Sequence, residues 1–266
     1  MGERAGDMDQ RDRCLFLIRE LLREMPEYRG IVIPDGPADR WRLLRGLMNV
    51  RPPMPATEEF LEAQDAFLRE MTREKGVVDA SQLPPCRKDE RLTLWQGDIT
   101  TLKCDAIVNA ANSQLLGCFS PCHGCIDNII HTMAGVQLRL KCDEIMRAQG
   151  HEEPTGQAKI TPGYDLPCGY VLHTVGPIVD GLLTKEHERL LASCYSSCLE
   201  LAAENGCESV AFCCISTGVF RFPPARAAEI AVETVTGWLD RTGSGMRVVF
   251  NVYKSTDREI YARLLN

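Results

Sequence analysis

The spacing of apolar positions changes near residue 90. Before it, apolar residues recur at helical intervals. Over residues 12–25 (DRCLFLIRELLREM), Leu15, Ile18, Leu21 and Leu22 fall on one face and predict an amphipathic helix. Residues 38–50, with Trp41, Leu43, Leu44, Leu47 and Met48, predict a second. Thr57, followed by Glu58 and Glu59, has the chemistry of an N-cap for a third helix running to about Met71. RPPMP (51–55) and LPPC (83–86) break the pattern. From Arg91 onward, short apolar runs alternate with helical periods. Strands are predicted over 92–95, 106–109, 158–161, 170–174, 209–215 and 247–253. Helices are predicted over 125–147, 187–205, 225–240 and 258–265. Strands separated by helices predict a sheet covered on both faces, with ligands at the carboxyl ends of its strands. The chain therefore reads as a helical extension over 1–90, packed on a main α/β domain over 91–266. The extension reads as a structural cap, with a lid or partner surface as the alternative.

Composition narrows the possibilities. The 266 residues, 44% apolar and 25% charged, suffice for one substantial domain plus an extension. No apolar run approaches the ~18 residues of a membrane-spanning helix. The start, MGERAGDMDQRDR, lacks the apolar core of a signal peptide, and Gly6 stands where a myristoylation motif wants Ser or Thr. Thirteen cysteines scattered through apolar segments suit reduced thiols in a cytoplasmic protein better than a disulfide framework. A net charge of -7 argues against non-specific nucleic-acid binding. An anionic ligand would have to be met locally, by backbone N–H groups or a helix N-terminus.

Three loops at predicted strand ends carry chemistry. GDIT (97–100) places Asp98 where it can cap a helix or accept a hydrogen bond from a ligand amine or hydroxyl. ISTGVF (215–220) can turn successive N–H groups toward an anion, although it lacks the GK[ST] ending of a Walker loop. Phe220 and Phe222 beside it could stack on a ligand ring or belong to the core. The third loop, NAANSQLLGCFSPCHGCIDN (109–128), combines asparagine amides and a carboxylate with Cys118, Cys122, His123 and Cys125. Thiolates and an imidazole at this density suit zinc. The other cysteines, including Cys194, Cys198, Cys213 and Cys214, read as core. His131 and His173 read as hydrogen-bonded structural residues.

The ordered segments GDIT (97–100), DAIVNAANSQLLG (105–117), PTGQAKITPGYDLP (154–167), VLHTVGP (171–177), CYSSCLELAAENG (194–206) and AFCCISTGVFRFP (211–223) together resemble a macrodomain from Arg91 to the C-terminus. GCFSPCHGCIDN, in place of a glycine-rich run, and the helical extension resemble the zinc-containing microbial subclass. The resemblance implies a three-layer α/β/α fold around a six-stranded mixed sheet, and ADP-ribose as ligand. It implies that Asp98 holds the adenine amino group beside the Ile99 backbone. It implies that Ser216, Thr217, Gly218, Val219 and Phe220 cradle the diphosphate, with Phe220 near the distal ribose and Tyr253 stacked on adenine. Asn112 would orient the distal ribose, and Asp127 matches the aspartate of the hydrolytic loop. A single zinc ion would be held by Cys118, His123 and Cys125, with Cys122 as the spare.

The activity implied is removal of mono-ADP-ribose from acidic side chains of a modified protein. A lipoyl-carrier protein modified by a sirtuin-type transferase is the implied partner. A non-catalytic ADP-ribose reader and an O-acetyl-ADP-ribose deacetylase are the alternatives.

Overall fold

The structure, a computed structural model, describes residues 8–266. The reading of residues 1–7 as a start without leader or lipid motif lies outside the described residues. Three helices open the described chain: α1 (Gln10–Glu24), α2 (Pro37–Val50) and α3 (Glu58–Lys75). Asp9 caps α1 by accepting the Asp12 N–H, and Thr57 caps α3 by accepting the Phe60 N–H. The apolar stripes of these helices (Leu17, Ile18 and Leu21; Leu44 and Leu47; Phe60 and Leu68) are buried together. The third helix runs four residues past the expected end at Met71, stopping at Gly76.

The main sheet has six strands: β2 (Leu92–Gln96), β4 (Ala106–Ala111), β5 (Ala158–Pro162), β6 (Tyr170–Val175), β7 (Ser209–Phe212) and β8 (Arg247–Val252). Their order is β2-β8-β7-β4-β6-β5, parallel except for β5, which runs antiparallel to β6. The connecting helices are α4 (Ile126–Ala134), α5 (Val136–Gln149), α6 (Lys185–Glu204), α7 (Pro224–Thr242) and α8 (Ser255–Leu265). The crossover from β4, by way of α4, α5 and β5, to its parallel neighbour β6 steps one way across the sheet, and the crossovers β6–α6–β7 and β7–α7–β8 step the other way. Because parallel crossovers are right-handed, the helices separate onto opposite faces. Helices α6, α7 and α8 cover one face; α4 and α5 cover the other, with α2 and α3 packed outside α4. This is a three-layer α/β/α sandwich around a mixed sheet. A two-residue parallel pair, β1 (Val78–Asp79) with β3 (Leu102–Lys103), joins the end of the N-terminal segment to the main domain. Nothing in the hydropathy pattern predicted it, because two residues carry no period.

Three expectations about element ends are corrected. The helix expected over 125–147 is two helices, broken at Gly135, where φ is +90°. There Gln64 of α3 accepts the Val136 N–H at 3.0 Å, and a Cβ on residue 135 would lie 2.4 Å from the Gln64 amide nitrogen. The strand expected over 209–215 ends at Phe212, so Cys213 and Cys214 lie just beyond it rather than within it. Residues 213–215 are apolar because the turn is mostly buried, not because it is paired. The last strand likewise ends at Val252, leaving Tyr253 beyond it.

Candidate active site

The carboxyl ends of the parallel strands bring together four segments distant in sequence. Gly97 and Asp98 follow β2, Asn112 follows β4, residues 213–222 follow β7, and Tyr253 follows β8. At the centre, Asn112 Nδ2 donates to the Gly117 carbonyl (3.1 Å) and to Asp127 Oδ2 (3.3 Å). Asn109 Nδ2 donates to Asp127 Oδ1 at 2.8 Å. Asp127 therefore lies in the first turn of α4, buried, with both oxygens held by asparagine amides. Burial pushes its carboxyl up to about 6, opposed by the Asn109 hydrogen bond and the Arg139 charge.

Behind this pair, His173 lies between Asn109 Nδ2 (3.2 Å at Nδ1) and Thr161 Oγ1 (3.0 Å at Nε2). Both ring nitrogens are engaged, as expected of a structural histidine. His131 differs from the expectation. Its ring is buried against Gly117, and its nitrogens make no hydrogen bond among the described residues, the Asp127 carboxylate standing 3.6 Å away. His131, Cys142 and His173 approach one another closely enough to suggest a ligand group. The hydrogen bonds already made by His173 argue against that role.

The loop between Asn112 and α4 gathers Cys118, His123 and Cys125, whose donor atoms all lie within 4.8 Å of one another. Cys118 Sγ stands 3.6 Å from His123 Nδ1. Tetrahedral zinc bonds to sulfur and nitrogen separate such a pair by about 3.5 Å. Two thiols and an imidazole in this geometry fit a zinc ion. Cys125 is also the N-cap of α4, its sulfur accepting the Asn128 N–H at 3.4 Å. Without a cation, burial pushes this thiol up to about 11. Cys122 turns away, its sulfur donating to the Arg42 carbonyl of α2 at 3.2 Å.

The outer parts of the pocket are simpler. Asp98 Oδ1 accepts from the Thr100 N–H (3.0 Å) and hydroxyl (2.6 Å), capping a short helical turn, Ile99–Thr101. Oδ2 faces Lys75 Nζ of α3 at 3.2 Å. Burial raises this carboxyl, but Thr100 and Lys75 outweigh it and hold the pKa below the usual range. One oxygen thus serves the cap and the other the ion pair with Lys75. In the turn after β7, Ser216 takes φ +65° and its hydroxyl is buried without a partner among the described residues. The Phe222 N–H returns to the Ser216 carbonyl (3.0 Å) and the Arg221 N–H to Gly218 (3.0 Å). These bonds close the turn without using the N–H groups of Gly218, Val219 and Phe220. Gly176 leaves room for this hydroxyl: a Cβ there would lie 2.0 Å from Ser216 Oγ and force it to move. Phe222 is core, whereas Phe220 is half-buried and Tyr253 is 79% exposed.

The Macro domain family model matches residues 108–231. A protein-ADP-ribose hydrolase of Treponema medium is 57% identical over 261 residues, covering 97% of this chain and 100% of that one. This chain belongs to the macrodomain family. A protein-ADP-ribose hydrolase of Staphylococcus aureus is 52% identical to this macrodomain over 255 residues, covering 96% and 95% of the two chains. Among solved structures, the Trypanosoma brucei macrodomain in complex with ADP-ribose superposes with a TM-score of 0.64 at 29% identity, covering 88% of this chain and 97% of that one. The Oceanobacillus iheyensis macrodomain with ADP gives 0.59 at 38% identity, covering 65% and 88%.

Several residues of this macrodomain's site escaped the sequence reading. Asn109 and Asn128 are fully buried and bonded to the site, yet Asn112 alone of the loop's asparagines drew a role from the sequence. Arg139 lies over the Phe119 ring at 4.2 Å and donates to the Leu116 carbonyl at 2.6 Å. A lone arginine on an amphipathic helix gives no signal of that kind. Arg45 and Asn49 of α2 also reach the loop, and only their i, i+4 spacing hinted at a shared face.

Proposed function

We propose that this macrodomain hydrolyses the bond between ADP-ribose and acidic side chains of a modified protein, with zinc at Cys118, His123 and Cys125. Hydrolysis of protein-linked ADP-ribose follows from its relatives, protein-ADP-ribose hydrolases matched over nearly the whole chain. The observation that carries the finer reading is one connection, from β4 to α4. It holds a bonded Asn112–Asp127 pair and a zinc-compatible donor set side by side. A simple reader of ADP-ribose has no use for that combination.

The ligand enters along the carboxyl edge of the sheet. Asp98 Oδ2 accepts a hydrogen bond from the adenine amino group, beside the Ile99 backbone, and Tyr253 stacks on the base. The N–H groups of the turn from Ser216 through Thr217, Gly218 and Val219 to Phe220 meet the diphosphate, which lets an acidic protein bind an anion. When bound, zinc supplies Lewis-acid and orienting chemistry at the distal ribose. Asn112 fixes that ribose. Asp127 holds Asn112 in turn and positions or deprotonates the attacking water; a carboxyl near pKa 6 is mostly ionised at neutral pH.

The division between an extension over 1–90 and a macrodomain over 91–266 belongs to the same reading, as does a cytoplasmic setting. The family match lies wholly within the second part. Among the described residues no helix is long and apolar enough to cross a membrane. The protein partner we favour is a lipoyl-carrier protein modified by a sirtuin-type transferase, on the resemblance alone. Asn112→Ala tests the catalytic assignment. It should lower kcat for ADP-ribose release by at least about tenfold while changing ADP-ribose affinity much less, because its role is to hold the reacting geometry. Equal losses in kcat and binding would make Asn112 a binding residue only.

A further inference from the structure

Contacts from α2, α4 and α5 converge on the metal-ligand loop. Arg45 Nη2 donates to the His123 carbonyl (2.8 Å) and to Asn128 Oδ1 (2.8 Å), with Nε at 3.3 Å from the same oxygen. The buried Asn128 passes this constraint on, its Nδ2 donating to the carbonyls of Cys118 (3.3 Å) and Ser120 (3.0 Å). One turn further along α2, Asn49 accepts the Cys122 N–H (2.8 Å) and donates to Thr132 Oγ1 of α4 (2.9 Å). Arg139 of α5 ties the other end, bonding the Leu116 carbonyl and the α2 carbonyls of Met48 (3.1 Å) and Arg51. Arg51 is itself locked by Glu24 of α1, at 2.6 Å.

The loop needs such support. Leu115 and Cys122 take left-handed backbone conformations, with φ +57° and +54°. Side chains larger than glycine adopt these only when the surroundings hold them. The loop has no secondary structure of its own between Asn112 and Cys125.

We infer that α2 is a clamp on the metal site. Arg45 and Asn49 are positioning residues that fix the ligand loop so that Cys118, His123 and Cys125 meet before a metal arrives. This gives the N-terminal extension a part in the chemistry beyond covering α4. It rests on the zinc reading above. Losing a group that orients metal ligands from behind typically lowers metal affinity about ten- to a hundredfold, because such groups remove the ordering cost at binding.

Removing α2 would expose Leu44, Leu47 and Met48, so the test changes single side chains of the full chain. Arg45 is only half-buried, and Arg45→Met keeps its stem while deleting every bond to the loop. Zinc transfer to a chromophoric chelator is measured for zinc-loaded wild type, Arg45→Met and Arg45→Lys. Amide hydrogen exchange over 113–125 and the unfolding midpoint are measured on the metal-free proteins. The clamp predicts zinc affinity about ten- to a hundredfold lower in Arg45→Met. It also predicts partial recovery in Arg45→Lys, faster exchange confined to the loop, and little change in midpoint. Zinc affinity and loop exchange unchanged in Arg45→Met would overturn the clamp while leaving the metal assignment standing. So would losses that merely track a fall in the unfolding midpoint. Wild type that takes up no zinc would overturn the metal reading; unchanged loop exchange in the metal-free variant would then overturn the clamp as well.

Discussion

Asp98 uses its two oxygens for different purposes. Oδ1 caps the turn after β2, while Oδ2 is left to Lys75 and, in the proposed complex, to adenine. Losing a charge-assisted hydrogen bond costs about 1.5–3 kcal/mol, roughly ten- to a hundredfold in affinity. Calorimetry on Asp98→Ala should therefore show that loss for ADP-ribose. Asp98→Asn, which keeps an oxygen for the cap, separates the two roles: near-normal binding there together with weak binding in the alanine variant would assign the residue to the turn alone. The sequence suggested both roles and could not rank them, because capping and ligand binding ask for the same side chain at a strand end. Asn109 and Arg139 were hidden for another reason. Their importance comes from partners 18 and 23 residues away, Asp127 and Leu116, that only the fold brings near.

Elements were legible where their period was long. Helices α1 and α2, β2 and β4 to β6, and the later helices fall close to their expected positions, because apolar spacing alone decides which face is buried. The errors lie where a distant residue intervenes. Met133-Ala134-Gly135-Val136 continues a helical pattern, and only Gln64, from another helix, makes Gly135 a break. The metal-ligand loop was legible as chemistry, through its cysteine density, but not as geometry. That Cys122 points to α2 depends on Arg42 and Asn49. At this scale the expectation concerns Cys125, a helix cap that is also a proposed zinc ligand. Cys125→Ala should abolish stoichiometric zinc by elemental analysis while lowering stability only by the ~1 kcal/mol typical of a lost cap. The sheet and the N-terminal helices share one large apolar core, so metal loss should leave the fold standing. Undiminished zinc, or an unfolded variant, would contradict the assignment.

At the scale of the molecule, the extension and the main domain meet through polar as well as apolar groups. Asp165, in the loop between β5 and β6, has a buried carboxylate that faces Arg69 of α3 at 2.9 Å and lies near Asp65. Burial and the Asp65 charge raise its pKa to about 8, with Arg69 offsetting part of the shift. A carboxyl raised in the folded state favours the protonated form, so the folded chain binds more protons than the unfolded one between about pH 4 and 8. Its contribution to stability is therefore lost as pH rises through that window. Denaturation of wild type and Asp165→Asn at pH 5, 7 and 8.5 should show a decline with pH in the wild type that the variant lacks. Parallel pH profiles would remove Asp165 from this role.

The central claim is that a macrodomain with a zinc-compatible loop releases ADP-ribose from acidic side chains. A carboxylate is a far better leaving group than a guanidine, so linkage chemistry separates true hydrolysis from binding. The direct measurement follows ADP-ribose release by zinc-loaded protein from two conjugates, one linked through glutamate or aspartate and one through arginine. The account predicts multiple turnovers on the first and little release from the second. Zinc-loaded protein that binds ADP-ribose tightly yet releases nothing from the acid-linked conjugate would contradict it.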